Sequence, residues 1–129
     1  MSRDAALQRL WYGPSWTSLP LWPLEWLFLE APWYKGRVVL IGDAAHATTP
    51  HLGQGAGMAI EDSIVLAEEI TRGQSVELAF AAFQARRYDR CRYIVESSVA
   101  ICRSQLGTGP KVEQAAATKA MFERVAQPI

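Results

Sequence analysis

Four consecutive apolar residues, Val38-Val39-Leu40-Ile41, limit what this chain can fold into more than any other feature. Gly36 and Arg37 lead into the run and Gly42-Asp43 ends it. Its lack of alternation predicts a strand buried on both faces, as in a parallel sheet. Such a strand needs neighbours, and Leu24 to Leu29 is the one other convincing strand. The expected architecture is therefore an α/β part-structure, mostly helical, with one central buried strand, C-terminal helices, and the rest of the sheet absent from the chain.

The helices announce themselves by period. From Gly57 to Arg72, Ile60, Ile64, Leu66, Ala67 and Ile70 predict a broad apolar surface and Glu61, Asp62, Glu68, Glu69 and Arg72 a polar one, with Gly73 as the stop. A longer pattern runs from Glu77 to Gln105, where Arg86, Arg87, Arg90 and Arg92 read as a solvated face. Gly107, Gly109 and Pro110 break it, and Pro110 suits the first turn of a final helix with Ala115, Thr118, Phe122 and Val125 on one side. The first 33 residues carry all five tryptophans and four of the seven prolines. They predict a short helix capped by Ser2, then loop and extended chain, with the aromatic rings serving as core or interface. Three segments result: 1–34, 35–73 and 74–129.

With 129 residues, 13 basic groups against 13 acidic ones and zero net charge, the chain has the length of one domain and no global field for nucleic acid. The balance conceals a gradient, since the three segments carry −1, −2 and +3. No stretch approaches the ~18 apolar residues of a membrane span, and Met1-Ser2-Arg3-Asp4 does not open a signal peptide, so a cytoplasmic chain without membrane contact is expected. Cys91 and Cys102 fall on one predicted helix, roughly 16 Å apart at ~1.5 Å per residue, beyond the ~7 Å reach of a disulfide. They are expected to be buried, inert thiols.

The chemistry concentrates between Gly42 and Asp62. Asp43 follows the carboxyl end of the buried strand, where open α/β sheets place ligands, and its carboxylate can accept hydrogen bonds from ligand hydroxyls. Gly53, Gly55 and Gly57 then open a helix, so the backbone can approach a ligand closely while free N–H groups face electron-rich atoms. The G-x-G-x-x-G fingerprint is absent, because its third glycine would fall at Met58 or Ile60 and the run starts 12 residues after Ile41. No Gly-Lys-Ser or Gly-Lys-Thr follows, which excludes a Walker loop. His46 reads as a turn-stabilising residue. His46 and His51, five apart with no cysteine near in sequence, match no common zinc spacing, and no metal is expected.

The order Gly42-Asp43-Ala44-Ala45-His46, then Pro50, Gly53-Gln54-Gly55 and Asp62, resembles the second flavin-binding motif of class A FAD-dependent monooxygenases, the para-hydroxybenzoate hydroxylase-like family. Trp33 to Arg37 before the strand, and Phe83 to Arg90 with the paired Arg86 and Arg87, are similar to that family's flanks. Residues 24–105 thus look like much of the C-terminal third of such an enzyme, with Val38–Ile41 as a strand of its FAD-binding, Rossmann-like domain.

The resemblance implies that Asp43 binds ribityl or ribose hydroxyls of FAD and that Gly42, Pro50, Gly53, Gln54, Gly55, Ala56 and Gly57 complete the flavin-facing loop. Pro50 stands where the family has a carbonyl near the reacting face, and the helix N-terminus would stabilise charge developing on the reduced ring. It further implies NAD(P)H as transient reductant, O2, and a small aromatic substrate in the complete enzyme. The parts that would hold adenine and pyrophosphate have no counterpart here, so the chain alone is expected to be inactive. A truncated remnant or partner-dependent subunit, through a partner chain or self-association, and an epoxidase or halogenase relative are the alternatives. Many relatives carry Asn where this chain has Gly57.

Overall fold

The computed structural model describes residues 23–129; the helix expected after Ser2 lies outside them. In chain order the elements are β1 (Tyr34–Lys35), β2 (Val38–Val39), α1 (Asp43–His46), a 3-10 turn (Pro50–Leu52), α2 (Gly55–Thr71), α3 (Val76–Gln105) and α4 (Gln114–Val125). α2 and α3 pack against each other, and α1, the 3-10 turn and α4 also contact α3. The core joins Trp33, Leu52, Met58, Val65, Phe83, Ile94, Val95, Ile101 and Met121.

The mostly helical architecture agrees with the sequence, but the strands do not. β1 and β2 form an antiparallel hairpin with Tyr34 opposite Val39 and Lys35 opposite Val38, turned at Gly36 with φ of 57°. The buried four-residue strand is thus reduced to two paired residues. Among the described residues only one of its edges has a partner, and Val38 is 66% and Leu40 37% exposed. Leu24 to Leu29 is extended but joins no sheet. Its amides instead reach the end of α1, Leu27 N to Ala47 O and Leu29 N to Ala45 O, both 2.9 Å.

α2 keeps Glu68 and Arg72 outside and Leu66 against the core, as expected, but the rest of its faces differ from expectation. Met58, Asp62, Val65 and Glu69 are buried, while Ile60 and Ile64 are 62% and 52% exposed. The reason is electrostatic: α3 presents arginines to α2, so the carboxylates turn inward to meet them. Arg87 is fully buried instead of solvated. Its Nη1 lies 2.6 Å from Glu61 and its Nε 2.8 Å from Asp62, while Arg86 reaches Glu69 at 2.7 Å. Charges are rarely buried unless paired, and these are.

α3 begins one residue before the expected start, where the Ser75 hydroxyl accepts the Leu78 N–H. α4 begins at Gln114 and not at Pro110, because the Glu113 carboxylate accepts the Ala115 and Ala116 amides. It buries Met121 and leaves Phe122 exposed. Arg90, paired with Glu61, also donates to the carbonyl of Val125, the last residue of α4, and to that of Gln127 just beyond it. Cys91 and Cys102 are buried and unpaired, as expected. Among the described residues, no helix is long and apolar enough to cross a membrane.

Candidate functional site

The residues after β2 turn sharply because Gly42 can take φ 57°, ψ −141°. A Cβ there would stand 3.2 Å from Ala59 Cβ, so the turn lies close against α2. Asp43 opens α1 with an exposed side chain. The cap position belongs to Gly42 and carries no side-chain hydrogen bond, which leaves Asp43 without the capping role a turn carboxylate often has.

The next loop is fixed from α3. Thr49 and Ser98 hydroxyls are 2.8 Å apart, and the Ser98 hydroxyl donates to the Thr49 carbonyl at 2.7 Å. Pro50–Leu52 then make one 3-10 turn, closed by the Gly53 amide on the Pro50 carbonyl at 3.0 Å, with Gly53 left-handed at φ 63°. Gln54 precedes α2 without capping it, so the first-turn amides of the helix keep their donors free of a side-chain acceptor.

These pieces enclose one cleft of about 670 Å³, lined by Gly42, Asp43, Pro50, Gly53, Gly55 and Ala56 together with Ile41, Thr48, Thr49, Ala59 and Ser63. Six of the eight candidate binding residues therefore meet in one place. Gln54 and Gly57 flank it, with a Cβ on Gly57 falling 3.5 Å from Gln54 Oε1. The Thr48 hydroxyl is buried without a hydrogen-bond partner among the described residues. A free carboxylate, an uncapped helix N-terminus and an orphaned hydroxyl around one cleft fit a ligand with hydroxyls and an electron-rich heterocyclic edge. They therefore fit the flavin and ribityl part of FAD.

Behind the cleft lies a buried ionic cluster that sequence reasoning missed. Asp62 Oδ2 accepts the Gly42 amide at 2.8 Å and meets His46 Nε2 at 2.7 Å, while Oδ1 accepts Arg87 Nε. Burial alone would raise the Asp62 carboxyl, but hydrogen bonds from His46, Gly42 and Arg87 outweigh it and hold it below the ordinary range. For His46, burial alone would lower the imidazolium; the bond to Asp62, aided by the Cys91 sulfur, reverses this and raises it to about 9. His46, Asp62 and Cys91 bring three potential metal ligands together. The Arg87 guanidinium already binds two of them, Asp62 and Cys91, and supplies the cation.

This cluster makes stability depend on pH. The His46 contribution is complete below the ordinary histidine value of 6.5 and is lost as pH rises through about 9. The Asp62 contribution is present above 3.8 and is lost as pH falls through its lowered native value. Urea midpoints are expected to decline from pH 6 to pH 9.5, and His46→Gln should flatten that limb. An unchanged slope in the variant would remove His46 as its cause.

The sequence matches the family model described as FAD binding domain over residues 20–98. The chain belongs to this family. It is 48% identical over 85 residues to the 2-heptyl-3-hydroxy-4(1H)-quinolone synthase of Pseudomonas aeruginosa, covering 66% of the chain and 22% of that protein. Against the kynurenine 3-monooxygenase of Stenotrophomonas maltophilia the identity is 42% over 84 residues, covering 65% and 18%. Against the 6-hydroxynicotinate 3-monooxygenase of Pseudomonas fluorescens it is 44% over 72 residues, covering 51% and 19%. The chain thus spans about a fifth of the length of these curated relatives. Membership of an FAD-binding family whose relatives include monooxygenases agrees with the resemblance seen in the sequence.

Proposed function

We propose that this chain forms the flavin-facing part of an FAD-dependent monooxygenase that hydroxylates an aromatic or related ring with NAD(P)H and O2. The observation that carries the reading is the single cleft on which Gly42, Asp43, Pro50, Gly53, Gly55 and Ala56 converge. Bound FAD would supply the redox chemistry, passing electrons from the nicotinamide to oxygen. Asp43 would accept hydrogen bonds from cofactor hydroxyls. The backbone from Gly53 to Gly57 would hold the pyrimidine edge, where the N-terminus of α2 would favour developing negative charge. The Pro50 carbonyl, which already accepts the Gly53 amide, would offer its remaining lone pair towards the ring. The exposed Val38, Leu40, Ile60 and Ile64 favour a working form in which further polypeptide, covalent or associated, covers these residues.

Two measurements test this. FAD added in excess to the isolated chain is expected to separate from it on gel filtration, with the protein eluting as an associated species; stoichiometric yellow monomer would contradict the incomplete-site reading. In a chimera carrying this chain in place of the matching segment of the P. aeruginosa relative, Asp43→Ala is expected to weaken FAD binding by about 1.5–3 kcal/mol, roughly tenfold to a hundredfold, through loss of a charge-assisted hydrogen bond. Unchanged affinity would remove Asp43 from the site.

A further inference from the structure

We propose that Asp62 is the positioning residue of the flavin loop: from inside the core it grips both ends of α1 and so sets where Asp43 stands at the mouth of the cleft. This rests on the flavin reading above. α1 has only four residues, too few for a helix to hold itself. Its two ends are tied to one atom, since Asp62 Oδ2 takes the Gly42 amide on one side of Asp43 and His46 Nε2 on the other. Asp62 is itself fully buried on α2 and braced by Arg87 Nε from α3. Asp43 makes its turn between those two anchors.

Only a carboxylate meets these demands. Gly42 N–H and Arg87 Nε–H are obligate donors aimed at different oxygens of Asp62. Asparagine has one oxygen, so in either orientation its amide sets N–H against N–H. With methionine at 87 that conflict disappears, and asparagine can turn its oxygen to Gly42. Leucine at 62 in the same background offers Gly42 nothing.

The comparison of Asp62→Asn/Arg87→Met with Asp62→Leu/Arg87→Met therefore separates the hold on Gly42 and His46 from the Arg87 ion pair. Amide exchange is read on the full chain and FAD affinity on the chimera. The Asn/Met pair is expected to keep the Gly42 amide at least tenfold slower to exchange than the Leu/Met pair, and to bind FAD at least tenfold more tightly, at similar urea midpoints. Single Asp62→Asn should resemble Leu/Met in affinity. Equal FAD affinity of the two double variants overturns the positioning role, as does a difference that merely follows their midpoints. Should Asp43→Ala also leave affinity unchanged, or the wild-type chimera hold no flavin, the flavin reading itself falls.

Discussion

Asp62→Leu is expected to destabilise the chain by about 3–5 kcal/mol, the usual cost of removing one partner of a buried ion pair. A domain's whole stability is about 5–15 kcal/mol, so this change brings the protein to the edge of folding. The cost arises because Arg87, with no exposed side-chain surface, keeps its charge but loses the acceptor at Nε, and the Gly42 amide loses its own acceptor. Adding Arg87→Met should recover most of the loss, since exchanging a whole buried pair for apolar side chains is often close to neutral. Urea unfolding of the two single variants and the double variant measures the coupling. Additive losses would mean that the two residues do not act as a pair.

Trp33→Ala should cost a comparable amount, about 3–5 kcal/mol, through the lost burial and the cavity left behind. Trp33 is 1% exposed, and the rings of His46, Tyr88, Phe28 and Phe83 lie 5.3, 5.6, 5.9 and 6.3 Å from its own. Its indole N–H donates to the Leu29 carbonyl at 2.8 Å, and its backbone amide to Gln84 Oε1. Removing the ring thus loosens the extended segment before β1 as well as the core. Trp33→Phe fills much of the space and should fall between the two in thermal midpoint. A chain with alanine at 33 that unfolds at the same midpoint would show that this ring is not the centre of the core.

The legible part of this protein was whatever depended on local pattern. Gly73, the break at Gly107 and the period of the apolar residues bounded α2 and α3 within two residues of their observed ends. Gly42, Asp43, Pro50, Gly53 and Gly55, singled out through the family resemblance, line one cleft. Illegible was the part set by contact between helices. Reading α2 alone, Ile60 and Ile64 belong inside and Asp62 and Glu69 outside; the opposite holds because Arg86 and Arg87 wait on α3. The clue lay in the charge gradient, an acidic segment followed by a basic one, which a pairing of the two helices would explain. Ser98 gave no local signal: its hold on Thr49 spans 49 residues of sequence. Val38 to Ile41 was legible as a strand parted from its sheet, but its short antiparallel pairing with Tyr34–Lys35 was not, because an apolar run carries no sign of its partner.

The length of α3 is also constrained. Gln84 holds Trp33, Arg87 holds Asp62 and Ser98 holds Thr49, so one continuous helix is read at three points by three separate loops or helices. Each residue inserted in a helix turns everything beyond it by about 100° and advances it by about 1.5 Å. A single insertion or deletion between Arg87 and Ser98 would swing Ser98 away from the Pro50 loop while leaving the Asp62 anchor in register, uncoupling the two walls of the cleft. Even a shift of seven residues, which nearly restores the angle, displaces the far contact by roughly 10 Å. A change of count between those positions therefore breaks one hold or the other, whereas the loop from Leu106 to Glu113, beyond all three contacts, can change length without shifting them.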